Sequence, residues 1–456
     1  MRKIFKPLFV LLLLFSFSFP AKAASFNSDD PVDIDKSWII NFSKSIFDNQ
    51  DLNNLIKIYD SNNNALNLQF EKSNDNKTLS VSSLNQYEKG VKYTLVVNKD
   101  LKSTDNHSLG SDTKMEFTTK NGSTYYVSPD GNDTNNGSTS SPFKTISKAV
   151  EKMNAGDTLL LRGGTYYERL DLTKSGNASS YYTIKAYPGE TPILDGSQAK
   201  DSLSGDSALV FQSNSYWKID GLSIQNYHSA GIYLKNGANN INMNNLKIYS
   251  IDPLTDTNYG CSAIFSEGNV QNCSVTNSDI HNVGLKYDRN WHHGIYITGG
   301  AQYWKIDNNK IHDNGGSAIH LYNGSSFSGK NITITNNTLY NNHKTGLTMW
   351  TNANNNTIKN NIFYNNTSYD LEIDPTSIQN TFTYNTFGSH NSDYNIFFRD
   401  PGPGSSDKNT LDYNKYYKLN LSKVVYAHSL ALDYNKWRSY SQESHGQFFN
   451  NQYTPR

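Results

Sequence analysis

The chain has 456 residues, with 41 basic and 41 acidic side chains, and it is rich in aromatic residues, including 31 tyrosines and 21 phenylalanines. Balanced charge argues against a nucleic acid or an anionic membrane as partner. With only two cysteines, a catalytic thiol or a cysteine-based metal cluster is disfavoured. Aromatic faces stack on pyranose rings, so the composition favours an all-β protein whose surface meets sugars.

The first 23 residues have the pattern of a secretory signal peptide. Basic residues precede an apolar run from Leu8 to Phe19, and small residues then lead to Ala23. No later segment is apolar enough to span a bilayer. We therefore predict cleavage after Ala23 and export of a monomer, either secreted into the extracellular medium or associated with the cell envelope.

Residues 26–120 alternate apolar and polar positions in short runs, such as "SWIINFS" and "KYTLVVNK", separated by turn formers. This pattern predicts a β-sandwich. The segment "KGVKYTLVV" and the closing "MEFTTK" resemble the bacterial Ig-like modules of S-layer and other cell-envelope proteins. The resemblance implies a spacer or docking unit and assigns it no chemistry.

A different pattern begins at residue 124 with "TYYVSPDGNDTNNGSTSSPFKTISKAVEKMNAGDTLLLRGGTYYERL". Ser141-Pro142 predicts a helix start, and apolar residues follow at helical spacing from Phe143 to Met153. The run resembles the N-terminal cap of bacterial right-handed parallel β-helix proteins. It implies that residues 124–456 form such a β-helix, closed at its start by a short capping helix.

The rest of the chain repeats one short motif, as in "GIYLK", "GIYIT" and "GLTMW". The equivalent apolar residues are separated by 32, 31, 24, 28, 24 and 25 residues, each interval being one coil of a solenoid. These residues are Ile232, Ile264, Ile295, Ile319, Leu347, Leu371 and Ile396.

An asparagine column falls at one position of successive coils. We interpret it as structural, because asparagine tolerates left-handed backbone geometry and its amide can bond to the copy above. Its members are Asn309, Asn337, Asn361, Asn385 and Asn414.

Cys261 and Cys273 lie on neighbouring predicted strands. Export permits a disulfide between them, and two buried thiols are the alternative.

Stacked coils place equivalent residues about 4.8 Å apart, so aligning the coils predicts columns on the surface. In the repeated strand the second and fourth residues are apolar and point inward, and the third and fifth point outward. The third-position column is Tyr233, Phe265, Tyr296, His320, Thr348, Glu372 and Phe397. The fifth-position column is Lys235, Glu267, Thr298, Tyr322, Trp350, Asp374 and Arg399.

This outward strip groups aromatic, imidazole, acidic and basic side chains beside long loops, which predicts a binding groove. Elimination of a uronate needs a base and a positive charge at the carboxylate. We expect catalytic roles for His320, Tyr296 and His293 and, under hydrolysis, for Glu372 and Asp374. We expect substrate-binding roles for Tyr322, Trp350, His292, Arg289, Lys344, Arg399 and Glu267.

Glycoside hydrolysis requires two carboxyl groups about 5 to 10 Å apart. Glu372 and Asp374 lie two residues apart on one predicted strand face, which places their Cα atoms about 6.6 Å apart. They are the one pair on the strip that fits, and two surface acids at the end of a groove are the alternative interpretation.

The chain as a whole resembles secreted β-helix polysaccharide lyases, including pectate lyases of family 9, and related β-helix hydrolases. The family 9 resemblance implies two features: a Ca²⁺ site made from several aspartates, and a lysine that acts as the catalytic base. The strip carries no adjacent aspartate pair and no lysine in its central columns, so those residues are not carried over. Asp252, Asp256 and Asp288 on loops are the candidate calcium ligands.

Three functions follow from these patterns. The first is a lyase that cleaves a pectate-like, uronate-containing polysaccharide by β-elimination. The second is a glycoside hydrolase that uses the same face. The third is a non-catalytic cell-wall or glycan-binding protein.

Overall fold

The computed structural model describes residues 10–13, 25–27, 31–32, 34–119, 121–198, 206–253, 260–286, 291–324, 329–389, 394–399, 405–418, 423–440 and 442–455. Internal contacts divide the chain into two units, Met1–Ser123 and Thr124–Arg456. Of the predicted signal peptide, only Val10–Leu13 lies within the described residues. No helix in the described ranges is long and apolar enough to cross a bilayer.

The first unit contains two four-stranded sheets and a short helix, Leu52–Leu55. One sheet has the order Val10–Leu13, Trp38–Phe42, Thr78–Ser83 and Leu68–Lys72. The other has the order Ser25–Asn27, Thr113–Thr118, Lys92–Val97 and Ile56–Tyr59. In Trp38–Phe42, Ile56–Tyr59, Thr78–Ser83, Lys92–Val97 and Thr113–Thr118, alternate residues are buried in one apolar core, as the alternating sequence predicted.

The second unit is a parallel β-helix in which the chain visits three eleven-stranded sheets in turn. The first sheet contains Thr124–Val127, Thr158–Leu161, Tyr182–Ala186, Ser215–Asp220, Asn239–Asn244, Ser274–Thr276, Lys305–Asp307, Thr333–Thr335, Thr357–Lys359, Thr381–Thr383 and Thr410–Asp412. The second contains Gly164–Tyr166, Pro192–Asp195, Ser223–Gln225, Lys247–Ile251, Asp279–Val283, Lys310–His312, Thr338–Tyr340, Ile362–Tyr364, Thr386–Phe387, Lys415–Tyr417 and Gln447–Phe449. The third contains Leu170–Leu172, Ser207–Gln212, Ala230–Lys235, Ser262–Glu267, His293–Thr298, Ile319–Tyr322, Thr345–Trp350, Tyr369–Ile373, Ile396–Phe398, Val425–Ala427 and Leu430–Leu432. A two-stranded ladder of Gly329–Lys330 and Ala353–Asn354 also occurs.

The predicted capping helix is present as Ile146–Lys152 and packs on the first two strands of the first sheet. It begins later than predicted, because the N-cap is Thr145, whose hydroxyl accepts a hydrogen bond from the Lys148 amide. The Glu168 carboxylate accepts from the two preceding amides, of Ile146 and Ser147. Phe143 instead lies beside Val127 as an extended residue. Further short helices are Gly196–Gln198, Ser405–Lys408 and Tyr434–Arg438.

The interior of the β-helix is a continuous stack of aliphatic and aromatic side chains. Every coil buries its own apolar residues only by packing on the coils above and below, so the repeat is stable as an array. Cys261 and Cys273 lie in this interior as free thiols, which decides between the two interpretations of the cysteines.

The asparagine column is a buried hydrogen-bonded ladder, as predicted. Each amide donates to the next side chain, from Asn309 to Asn337 at 2.9 Å and from Asn361 to Asn385 at 3.0 Å. The left-handed backbone was assigned to the wrong residue, because the residue just before each ladder asparagine has the positive φ. These residues are Asn308 (56°), Asn336 (57°), Asn360 (57°), Tyr384 (59°) and Tyr413 (59°).

Candidate active site

The strands of the third sheet pair in the predicted register, which confirms that the residues of each predicted column are neighbours on adjacent strands. Tyr296 is paired with His320, His320 with Thr348, and Thr348 with Glu372. At the fifth position Tyr322 is paired with Trp350. Residues remote in sequence therefore share one strip of surface.

A cavity of about 750 Å³ lies over the middle of this strip. Its lining combines aromatic rings, two histidines, two cations and one carboxyl group. The lining residues are Ser229, Gly260, Ser262, Phe265, Trp291, His293, Tyr296, Ser317, His320, Tyr322, Lys344, Thr345, Thr348, Trp350, Ser368, Tyr369, Glu372 and Arg399. The volume lies within the usual range for a small-molecule or saccharide site.

His293 faces the cavity because strict alternation breaks at Gly294 and Ile295. Both of these residues are directed into the β-helix: Ile295 is fully buried, and a Cβ on Gly294 would lie 2.5 Å from the interior Ile311 side chain. Two successive inward positions shift the parity of the strand. His293, two residues before Ile295, consequently lies on the same outer side as Tyr296.

The two cavity histidines are in contact. His293 Nε2 lies 3.0 Å from His320 Nδ1, and the His320 ring also stacks on Tyr296 with 5.1 Å between ring centroids. Burial lowers the pKa of His320 to about 3. Burial, with the nearby His320 and His292 as further causes, holds the pKa of His293 well below its usual range. Both rings are therefore neutral at neutral pH.

Glu372 and Arg399 form an ion pair inside the cavity. Arg399 Nε donates to Glu372 Oε1 over 2.6 Å, and the guanidinium lies 4.5 Å from the Trp350 ring centroid. Burial raises the pKa of Glu372, and the charges of Arg399 and Lys344 oppose that rise. Lys344 thus adds a positive charge to a cavity whose carboxylate already has a partner.

Tyr296 places a phenol hydroxyl at the centre of the strip. Burial raises its pKa to about 12, the neighbouring Tyr322 adds to the rise, and a hydrogen bond with Thr298 opposes it. Its phenolate is therefore a strong base that forms in small amounts at neutral pH.

Asp374, predicted to be a catalytic partner of Glu372, is bound by the donors of a turn. Its carboxylate accepts hydrogen bonds from Thr351 N at 2.7 Å, Ser377 N at 3.0 Å and Thr376 Oγ1 at 3.0 Å. It lies just after Tyr369–Ile373, where it closes the turn that leaves the third sheet. A carboxylate saturated by turn donors is a structural group, and it does not line the cavity.

His292 and Glu267, which were expected to bind substrate, lie outside the cavity lining. His292 is fully buried between coils, with Nδ1 3.1 Å from the Cys261 amide and 3.3 Å from its sulfur. Glu267 accepts a hydrogen bond from the Tyr233 hydroxyl on the preceding coil, outside the cavity lining. In both side chains a neighbouring coil supplies a hydrogen-bond donor, to His292 Nδ1 and to the Glu267 carboxylate.

The predicted calcium ligands are only partly described. Asp256, Asp288 and the predicted substrate ligand Arg289 lie outside the described residues. Asp252 accepts a hydrogen bond from the Lys286 amide at 2.9 Å. Within the described ranges no three acidic, histidine or cysteine side chains are grouped to hold a metal ion. Calcium binding stays a prediction, and no chemical step is derived from it.

Several lining residues were not identified from the sequence. Ser262, Ser317, Thr345 and Tyr369 occupy the same column as His293 and precede each inward glycine, alanine or aspartate. The recurring pairs "GI", "AI" and "GL" mark the point where alternation breaks, and they could have located this column. Trp291, which is 65% exposed, forms part of the cavity edge.

Comparison with known proteins agrees with this architecture. A family model described as "Pel9A-like, right handed beta helix region" matches residues 125–288, and one described as "Right handed beta helix region" matches residues 262–426. Among solved structures, pectate lyase Pel9A superposes with a TM-score of 0.44 at 18% identity, covering 60% of this chain and 74% of that one. XylC in complex with xylose gives a TM-score of 0.48 at 13% identity, covering 66% and 70%.

Two curated relatives match part of the chain. Pectate lyase PEL9 of Emericella nidulans is 39% identical over 126 residues, which is 25% of this chain and 30% of that protein. The uncharacterized protein YwoF of Bacillus subtilis is 32% identical over 123 residues, 25% and 26% of the two chains. The chain thus spans less than a third of the length of these relatives. Residues 125–426 are identified as a right-handed parallel β-helix, and part of the chain is similar to a pectate lyase.

Proposed function

We propose that the cavity binds an acidic, uronate-containing polysaccharide and cleaves it by β-elimination. The observation that carries this proposal is the charge of the cavity: Lys344 and Arg399 line it, and the one described carboxyl group in the lining, Glu372, is already bound by Arg399. The surplus positive charge suits a carboxylate on the sugar. The aromatic rings of Trp350 and Tyr369 supply apolar faces for pyranose rings.

In this proposal Tyr296, as phenolate, removes the proton beside the uronate carboxylate. The electron pair of that bond forms the carbon–carbon double bond, and the glycosidic oxygen leaves with a proton taken from solvent water. Lys344 stabilises the negative charge that develops on the carboxylate. The products are one chain with a new reducing end and one chain that begins with an unsaturated uronate.

Hydrolysis is less well supported by the described residues. It needs a second carboxyl group across the cavity from Glu372, and Asp374 is held in a turn. Within the described part of the lining there is no other acidic side chain.

The test is incubation of the purified protein with polygalacturonate, alginate and neutral xylan, with and without EDTA and added CaCl₂. We expect ultraviolet-absorbing unsaturated ends from an acidic polymer and none from xylan. Loss of activity in EDTA with recovery in CaCl₂ would support a calcium requirement. Reducing ends without the absorbance would instead identify a hydrolase, and binding without shortening a non-catalytic protein.

A matched pair of variants tests the charge argument. Lys344→Met should lower kcat/KM on the acidic polymer by about 100-fold or more, because it removes the cation assigned to the carboxylate. Lys310→Met, on the exposed face of the second sheet, should leave the rate unchanged. Equal effects of the two changes would contradict the role of Lys344.

We also propose that the protein is exported and that residues 26–120 are an Ig-like spacer or docking module. The basic, apolar and small-residue order of the first 23 residues supports export. The paired four-stranded sheets support the module. N-terminal sequencing of protein from culture medium should begin at Ala24.

A further inference from the structure

The hydrogen bonds around the two cavity histidines fix where their protons lie. The Ser317 backbone amide donates to His293 Nδ1 over 3.1 Å. A backbone N–H cannot accept, so His293 Nδ1 carries the lone pair and the proton of the neutral ring is on Nε2. His293 Nε2–H then donates to His320 Nδ1 over 3.0 Å. The His320 proton must therefore be on Nε2.

Burial strengthens this assignment. His293 is 5% exposed and His320 is 8% exposed, so two adjacent imidazolium ions would lack solvent and repel each other. Even a protonated His320 would keep its proton on Nε2. His320 Nε2 is therefore a hydrogen-bond donor in both the neutral and the protonated ring.

Two donors in the cavity lining have no acceptor. His320 Nε2 and Trp350 Nε1 are both inaccessible to solvent and make no hydrogen bond within the described structure. Their rings contact each other edge to face, with 5.1 Å between centroids and 88° between planes. Buried N–H groups without partners are unfavourable, so the pair is poised to gain acceptors from a ligand in the cavity once the two rings turn toward it.

We propose that His320 Nε2–H and Trp350 Nε1–H donate to oxygen atoms of a bound sugar, and that His293 is the positioning residue that keeps His320 in the donor form. The Arg399 guanidinium over the Trp350 face helps to hold the indole in place. The identity of the ligand as a uronate rests on the proposed function, in which these oxygens include those of the sugar carboxylate. His320 is then a donor to the substrate and not the base.

The positioning role is tested without any substrate. In ¹⁵N NMR of histidine-labelled protein, protonated and unprotonated ring nitrogens have well-separated shifts, and His320 should carry its proton on Nε2. In His293→Leu, which removes the fixed donor, His320 should show both tautomers. His343→Gln, an exposed position, serves as the control and should leave His320 unchanged. A proton on His320 Nδ1 in the unmodified protein would overturn the inference.

The donor pair is tested by titration with trigalacturonate and with xylotriose. Binding should shift the Trp350 indole N–H and the His320 Nε2 signals together. Trp350→Phe keeps a ring and loses the donor, so affinity should fall about tenfold. His320→Gln retains an N–H donor and should bind more tightly than His320→Ala. Tyr303→Phe, which alters an exposed ring, should bind as the unmodified protein does.

The donor-pair proposal and the uronate-lyase proposal can be refuted independently of each other. Paired shifts with xylotriose alone would refute the uronate assignment and support the donor pair. Cleavage of polygalacturonate with unshifted His320 and Trp350 signals would refute the donor pair and support the lyase. Absence of binding by both trisaccharides would overturn the donor pair.

Discussion

The Tyr296 ring is stacked between rings of the preceding and the following coil, and these neighbours affect the pKa of its hydroxyl. Phe265 stacks beneath it and His320 above it, with centroid separations of 5.3 and 5.1 Å. Stacked neighbours exclude water from both ring faces and disfavour the phenolate. Elimination that uses this group should therefore depend steeply on pH.

We predict that kcat/KM rises with pH between about 7 and 10, because the phenolate fraction grows tenfold per unit below a pKa near 12. The pH–rate profile of initial elimination rates measures this. Tyr296→Phe should lower kcat/KM by about 100-fold or more, whereas Tyr303→Phe should not. A plateau reached near pH 6 would assign the base to another residue.

Asp374 illustrates the opposite case, in which an acidic residue near the cavity serves the backbone. Asp374→Asn keeps Oδ1, the acceptor for the Ser377 amide and the Thr376 hydroxyl, and replaces Oδ2, the acceptor for the Thr351 amide, with an amino group. The variant loses one hydrogen bond of the turn and keeps the others, so the turn should form and the cavity should be intact. We predict unchanged kcat/KM, measured on the best acidic polymer. Loss of turnover in a folded variant would restore the hydrolytic pair with Glu372.

At the scale of elements, the coils are joined by buried amide ladders as well as by strand pairing. Asn361 is completely buried, accepts from the Asn337 amide at 2.9 Å and donates to the Ile334 carbonyl at 2.8 Å. Each ladder side chain therefore satisfies two backbone groups of the preceding coil. A second ladder of Asn314, Asn342 and Asn366 does the same at the entrance to the third sheet.

We predict that Asn361→Ala lowers the free energy of unfolding by about 1–3 kcal/mol, because it leaves buried donors and acceptors unpaired. Urea unfolding followed by circular dichroism measures the change. Asn360→Gly is the matched control, since Asn360 is exposed and has a φ of 57° that glycine adopts without strain. Equal destabilisation by both changes would argue against the ladder as the stabilising element.

At the scale of the whole molecule, every described residue that lines the cavity lies in the second unit. That unit has its own continuous core, which begins at Val127. Such a unit should fold without the residues before it.

We predict that a chain beginning at Thr124 folds and keeps the kcat/KM of the full-length protein on a soluble acidic polymer. Circular dichroism and elimination rates measure the two properties. Activity lost on an insoluble polymer alone would indicate that the first unit docks the protein. An unfolded or inactive truncated chain would show that the second unit depends on the first.

The sequence by itself determined the β-helix, the register of its third sheet and the column that joins Tyr296, His320 and Glu372. Periodicity is enough for this, because parallel coils pair in step and a repeated apolar residue must return to the same interior. The tertiary structure alone decided which outward groups are accessible. Burial of His320 and His292, the turn around Asp374 and the Arg399 ion pair all depend on atoms from other coils. Acidity, tautomer and hydrogen-bond partners follow from those neighbours, and a strand pattern does not contain them.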